Sequence, residues 1–223
     1  MALFPFEMMP VFEHFFHISR IPSIYFTKEL LNKSKSNKIP LHVDGKNTYY
    51  LVDPGGDLHD TRTLFSKLLK KYDCWKGCVG EAPQSKDLLQ YMGHGSGIRY
   101  FGTDDLRKCC CRAVSVLMGC SRILHEGRGF DGRGHVYDYH IAKCPCLIGC
   151  LWTVSDGEID RFISCFLEYS FFSSNYRFLL DGIGIARYAC KLRYLTGASV
   201  VSYGLPITVD ITGIRASNGE VEQ

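Results

Sequence analysis

Two stretches of this chain leave little choice of fold: Ala113-Val114-Ser115-Val116-Leu117-Met118, stopping at Gly119-Cys120, and the run from Cys146 to Val154. Both are almost unbroken in apolar residues. A strand with one solvated face alternates polar and apolar side chains, whereas a strand covered on both sides is apolar throughout, as in a parallel sheet sandwiched between helices. The neighbouring segments supply the helices. Thr48-Tyr49-Tyr50-Leu51-Val52 is a run of β-forming residues stopped by Asp53-Pro54-Gly55-Gly56. Leu64, Leu68 and Leu69 then recur at helical spacing between His59 and Tyr72, with Lys67, Lys70 and Lys71 near the end where the helix dipole favours cations. These lysines read as a solvated helix face.

Further on, Lys76 to Val79 predicts a short strand, Gln84 to Leu88 a short helix, and Leu88 to Met92 an apolar run broken by Gly93-His94-Gly95-Ser96-Gly97. Thr103 to Lys108 predicts a helical turn and Val136 to Ala142 a helix. Ser155 stands three residues before Glu158, a capping box opening a helix to about Tyr169. Alternating strands and helices predict an α/β fold with a largely parallel central sheet flanked by helices. The polar stretch Asn32 to Lys38 before Pro40 reads as an exposed loop. The expected organisation is an extension over 1–46 docked on the body, a main domain over 47–210 and a tail over 211–223.

Charge and cysteine usage narrow the function classes. With 26 Lys+Arg against 23 Asp+Glu, the net charge of +3 lacks the basic excess of a phosphate-driven nucleic-acid binder, so no direct nucleic-acid partner is expected. The 11 cysteines are odd in number and include the consecutive Cys109, Cys110 and Cys111, a poor disulfide framework that suits a reducing compartment. Their spacing shows no paired CxxC motifs, and no structural metal is expected. Met1 to Phe16 has no basic leader before an apolar stretch and does not read as a signal peptide. No run of about 18 uncharged apolar residues predicts a membrane span.

Sites in open α/β sheets gather at the carboxyl ends of the strands. Two candidate strands end in reactive residues, His94 within Gly93-His94-Gly95 and Cys120 after Gly119. Neighbouring strands would bring them together as thiol nucleophile and imidazole. The flanking glycines let backbone approach closely and let amides turn inward as an oxyanion hole. Taken singly, His94 also has the character of a turn residue and Cys120 that of a small core residue.

The wording of the motifs goes further. Tyr91-Met92-Gly93-His94-Gly95-Ser96-Gly97 and Leu117-Met118-Gly119-Cys120-Ser121 resemble the histidine and nucleophile motifs of separase, the caspase-like cysteine endopeptidase of clan CD. Matches run along almost the whole chain: Phe4-Pro5-Phe6-Glu7, Ser19 to Ser23, Tyr50 to Leu58, Leu151 to Asp156 with Ile159 to Phe162, Tyr194 to Ala198, and Tyr203 to Pro206.

The resemblance implies a caspase-like three-layer fold and a thiol endopeptidase needing neither metal nor organic cofactor. Cys120 would attack the scissile carbonyl, His94 would pass protons, and the amides of Gly95 and Cys120 would hold the oxyanion. The family cuts after arginine in a Glu-x-x-Arg context, which calls for a carboxylate in the S1 pocket; Asp160 is the first choice and Asp156 the second, with Trp152 as an apolar wall. Both acids also suit the first turn of a helix, and Trp152 also suits a core. Asp53 and Asp57 are assigned to orienting their turn. The implied substrate is the kleisin subunit of cohesin and the implied inhibitor a securin-like pseudosubstrate, acting in nucleus and cytoplasm to release sister chromatids. No membrane partner is expected. Arg122 and Thr153 depart from the family pattern, and 223 residues leave no room for the family's long upstream helical region. A degenerate caspase-like binding module, or another clan CD peptidase of different specificity, are the alternatives.

Overall fold

The structure, a computed structural model, describes residues 3–12, 15, 18–36, 38–69, 76–77, 85–95, 97, 100, 107–108, 110–119, 123, 134–171 and 177–210. Its centre is a six-stranded sheet in the order β3-β2-β4-β5-β6-β8. The strands are β2 (Thr48–Val52), β3 (Lys76–Gly77), β4 (Leu88–Gly93), β5 (Val114–Gly119), β6 (Cys146–Cys150) and β8 (Val200–Gly204). All neighbours are parallel except β6 and β8, which run antiparallel. A smaller sheet joins β1 (His42–Asp44), β9 (Thr208–Asp210) and β7 (Arg177–Phe178).

Every residue of β4, β5 and β6 is buried, which is what continuous apolar runs require. Alternate side chains go to opposite faces. Leu88, Met92, Val116, Met118 and Ile148 pack with Phe65 and Leu68 of helix α2 (His59–Leu69) and with Phe162 and Phe166 of helix α4 (Asp156–Phe171). Leu180 of helix α5 (Leu179–Ala186) joins them. On the other face Leu89, Tyr91, Leu117 and Leu147 pack with Val136 and Tyr139 of helix α3 (His135–Ile141). The result is the three-layer α/β architecture expected from the alternation.

Some local expectations are revised. Residues 85–88 are not helical: Leu88 already pairs with both Thr48 and Val114, and sheet hydrogen bonding overrides the local helical spacing. The run from Cys146 ends as a strand at Cys150, because Leu151 onward turns towards α4. The polar stretch expected as a loop from Asn32 is the last turn of helix α1 (Ile24–Lys35), held by the burial of Leu30. The N-terminal segment is tied into the body along its length, with Glu29 paired to Lys143 Nζ at 3.0 Å and Leu30 in the core. Arg20 bridges Tyr203 on the outer edge of β8, with its amide donating to Ser202 O at 2.8 Å, and β1 pairs with β9. An open strand edge is thereby covered.

No helix among the described residues is long and apolar enough to cross a membrane.

Candidate active site

The carboxyl ends of β2, β4, β5 and β6 lie at one edge of the sheet. Val52 pairs with Met92, and Gly93 pairs with Gly119, so the loops that follow β4 and β5 start level with one another. His94 follows Gly93 and Cys120 follows Gly119. Cys120 lies outside the described residues, as do Ser96, Ser121 and Arg122.

The two loops are in backbone contact. A Cβ added to Gly119 would fall 1.7 Å from the carbonyl oxygen of Gly95 and 2.8 Å from that of Gly93. The turn carrying His94 therefore folds over the end of β5, and glycine at 119 is a condition of that approach. Gly95 has φ of 75°, the left-handed region in which glycine is favoured, and this sharp reversal brings its carbonyl back over the strand. Below it, the buried Tyr91 hydroxyl donates to the carbonyl of His94 and holds the turn.

A third loop, after β2, meets His94. Asp53 is buried with φ of 44°, and one carboxylate oxygen accepts from the amides of Gly56 (3.0 Å), Asp57 (3.0 Å) and Leu58 (3.1 Å). Arg62 Nε lies 3.0 Å from the other oxygen. Burial opposes ionisation of Asp53, but the amides and the guanidinium together hold its carboxyl below the ordinary range. The organised loop presents Asp57, whose Oδ2 lies 3.3 Å from His94 Nε2. Both side chains are solvent-accessible, at 63% and 48%. A Cβ on Gly55 would stand 2.9 Å from the Asp57 carboxylate, so that glycine leaves the acid its place.

Asp57, which the sequence places only in the turn after β2, stands beside His94 in the folded chain. The available signal was topological: Asp57 follows a strand that ends at the same edge as His94. With Nε2 facing a carboxylate, the ring is oriented, while Nδ1 is the nitrogen on the ring's other side. Asp53 acts one step back, as a positioning residue.

The nominated specificity residues follow β6. Trp152 is half-buried, packs against the cores of both faces and donates from Nε1 to Leu195 O at 3.0 Å. Asp156, the first residue of α4, is partly exposed. Asp160 lies one turn further in and is buried; its Oδ2 accepts from Thr61 Oγ1 at 2.8 Å. Burial pushes the Asp160 carboxyl up to about 6, the Thr61 hydroxyl acts the other way, and Asp156 and Asp60 add to the rise. Asp160 lines a groove between α2 and α4 with Asp60, Leu64, Arg161 and Cys165; His94 is not among that groove's described lining residues.

Among the described residues no group of three or more His, Cys, Asp or Glu could hold a metal ion. What the edge offers is an oriented imidazole, a carboxylate behind it, glycine-bounded amides, and a loop leading directly to a cysteine. Such a set is suited to nucleophilic acyl transfer.

Comparison with known proteins gives the same direction. The family model described as "Separin, protease domain" matches residues 1–159. Separin of Mus musculus is 34% identical over 221 residues, covering 92% of this chain and 10% of that protein. Separin of Saccharomyces cerevisiae is 31% identical over 227 residues, covering 92% of this chain and 14% of that one. The chain thus spans about a tenth of the length of the curated relatives it matches. In three dimensions it is similar to the crystal structure of the S. cerevisiae separase–securin complex at 2.6 Å resolution, with a TM-score of 0.82, 30% identity, 94% of this chain covered and 15% of that one. A second crystal structure of that complex, at 3.0 Å, gives a TM-score of 0.80 and 32% identity.

Proposed function

The chain belongs to the separin protease-domain family, and on that premise we propose that it is a cysteine endopeptidase domain whose dyad is Cys120 and His94. The observation that carries this reading is the close approach at Gly119: the turn bearing His94 lies against the strand that leads into Cys120.

In the proposed mechanism the Cys120 thiolate attacks the scissile carbonyl carbon, and the oxyanion is received by the amides of Gly95 and Cys120. The His94 imidazolium gives its proton to the departing amine as the C–N bond breaks, leaving a thioester. Water then attacks the thioester, His94 takes the water's proton, and the thiolate leaves with the carboxylate product. Asp57 keeps Nε2 occupied and orients the ring for its proton transfers.

Specificity for arginine rests on the acids at the start of α4. Asp160 and Asp156 are the proposed S1 carboxylates, with Trp152 as an apolar wall of that pocket. The proposed substrate is the kleisin subunit of cohesin, cut after arginine in a Glu-x-x-Arg context at chromosome segregation. A securin-like inhibitor is the proposed partner, supported by the likeness to separase solved with securin.

The test is covalent labelling of the dyad. An acyloxymethyl ketone ending in arginine is expected to label the folded protein, and a lysine or glutamate counterpart to label it at least tenfold more slowly. Absence of labelling in a preparation with a cooperative melting transition would favour a binding module without catalysis.

Asp57 can be tested by kinetics. Asp57→Asn is expected to lower kcat/KM about tenfold with KM nearly unchanged, equivalent to about 1.4 kcal/mol of transition-state stabilisation. The effect is modest because the pair is exposed to solvent. Parental activity in this variant would remove Asp57 from the mechanism.

A further inference from the structure

Helix α1 has two faces of different kinds, and the contacts of one settle the direction of the other. Phe26 meets His140 of α3 edge-on, with ring centroids 5.3 Å apart. Glu29 accepts from Lys143 Nζ, just beyond α3, at 3.0 Å, and Leu30 is fully buried in the core. Positions 26, 29 and 30 share one side of a helix, and that side holds α1 to the body.

The opposite arc carries Ile24, Tyr25, Lys28, Leu31, Asn32 and Lys35, which follow the helical repeat and are all exposed. Ile24 is 88% exposed, Tyr25 62% and Leu31 42%. Single apolar residues scattered over a surface are ordinary, whereas three on one face of one helix make a patch.

The charge of this segment is one-sided. Residues 24–38 contain Lys28, Lys33, Lys35 and Lys38 against Glu29 alone, a net charge of +3. Taking these from 26 Lys+Arg and 23 Asp+Glu leaves 22 of each, so the rest of the chain balances and this segment accounts for the whole excess. Its single acid is turned inward to Lys143, and the charged residues of the outward face are lysines.

Along the row Ile24, Lys28, Leu31, Lys35, apolar and cationic side chains alternate at the steps of three and four by which one helix packs on another. A lipid-binding helix keeps its apolar stripe unbroken and its cations on the polar face, whereas here the lysines stand within the stripe. A second copy of the face would set lysine against lysine. A helix with acids interleaved among its apolar residues complements both features.

We propose that the outward face of α1 is a docking surface for an acidic amphipathic helix of another protein. Ile24, Tyr25 and Leu31 pack its apolar residues, and Lys28 and Lys35 pair with its carboxylates. Neither His94 nor Cys120 belongs to this face, so its occupancy does not require hydrolysis.

The experiment uses the full chain and fluorescein-labelled peptides, stapled as helices, in which leucine and glutamate alternate at steps of three and four along one face. Fluorescence anisotropy is expected to show this peptide binding about fivefold more tightly than its glutamine counterpart, with the difference shrinking in high salt. A peptide of the same composition, reordered so that its leucines share no face, should not bind. Ile24→Ser, at a position facing solvent, is expected to weaken binding about tenfold with an unchanged melting temperature. Lys28→Glu combined with Lys35→Gln should abolish the preference for glutamate over glutamine. Labelling by the arginine ketone should be the same in all these variants.

No binding of the patterned peptide, equal binding of the reordered one, or unchanged affinity in Ile24→Ser would each overturn the proposal. Sedimentation with vesicles of phosphatidylcholine and phosphatidylserine that is lost in Ile24→Ser, without peptide binding, would reassign the face to anionic lipid and overturn it too. A dimer in analytical ultracentrifugation that Ile24→Ser dissociates would reassign it to self-association. Loss of ketone labelling with peptide binding intact would fault the protease reading alone.

Discussion

Replacing Gly119 by alanine is expected to reduce hydrolysis at least a thousandfold. The added Cβ would meet two main-chain oxygens, at 1.7 Å and 2.8 Å, and neither is the tip of a flexible side chain. Relief requires either the turn at His94 to lift or the end of β5 to move. A displacement of about 1 Å at a reacting group already costs about a hundredfold in rate. The strand is buried along its whole length, so its movement would also disturb packing. A fall in melting temperature should accompany the loss of activity. Gly157→Ala is the matching control: nothing lies within 4 Å of its added Cβ, and alanine is the better helix former at that position in α4, so its melting temperature should be equal or higher. If Gly119→Ala keeps parental kcat/KM, the loop carrying His94 does not need its observed contact with β5, and the site argument fails.

Removing the nucleophile should have the largest effect of all. Cys120→Ser is expected to lower kcat/KM by about four powers of ten or more, since a serine hydroxyl beside this imidazole is not activated as a thiolate is. His94→Ala is expected to lose a further share of the same mechanism, about a hundred- to ten-thousandfold taken alone. Groups that act as a unit are not additive, so the double variant should be little worse than Cys120→Ser. Single-turnover assays with an arginine peptide would measure all three. Additive losses in the double variant would show that the two groups work in separate steps, and retained activity in Cys120→Ser would place the nucleophile elsewhere.

Glycine content at this edge explains why the motifs are short and specific. Gly93 has no room for a Cβ, which would meet the Tyr91 hydroxyl at 2.8 Å and Pro54 Cδ at 3.0 Å. Gly119 has none because of the Gly95 carbonyl, and Gly55 leaves space for Asp57. Each glycine is required by its own neighbours: Gly93 by Tyr91 and Pro54, Gly119 by the Gly95 carbonyl, and Gly55 by Asp57.

Much of the central architecture was legible in the chain itself. Continuous apolar runs at β5 and β6 mean burial on both faces, and that property is local: each residue's hydropathy, repeated along a strand, states its own surroundings. Helix α2 follows from apolar spacing and α4 from the Ser155–Glu158 start signal in the same local way. The lettering around His94 and Cys120 carried the family resemblance for a related reason, since a turn that must be glycine is visible wherever glycine stands. Asp160 and Asp156 are nominated only through the family resemblance, which calls for a carboxylate to receive arginine; their places in a helix start account for them equally well without it.

Other features exist only because distant segments meet. Nothing near Leu88 in sequence announces that it pairs with both Thr48 and Val114, and those bonds decide that it is a strand residue. The antiparallel pairing of β8 with β6 joins segments some 50 residues apart, and the small sheet joining His42–Asp44 to Thr208–Asp210 and the bridge from Arg20 to Tyr203 join segments more than 150 residues apart. The same holds for Asp57 beside His94 and for Thr61 on Asp160. Hydropathy along a chain encodes whether a side chain is buried, because burial is a property of one residue and its solvent. Which charge faces which is a property of pairs, and only the closed tertiary structure chooses the pairs.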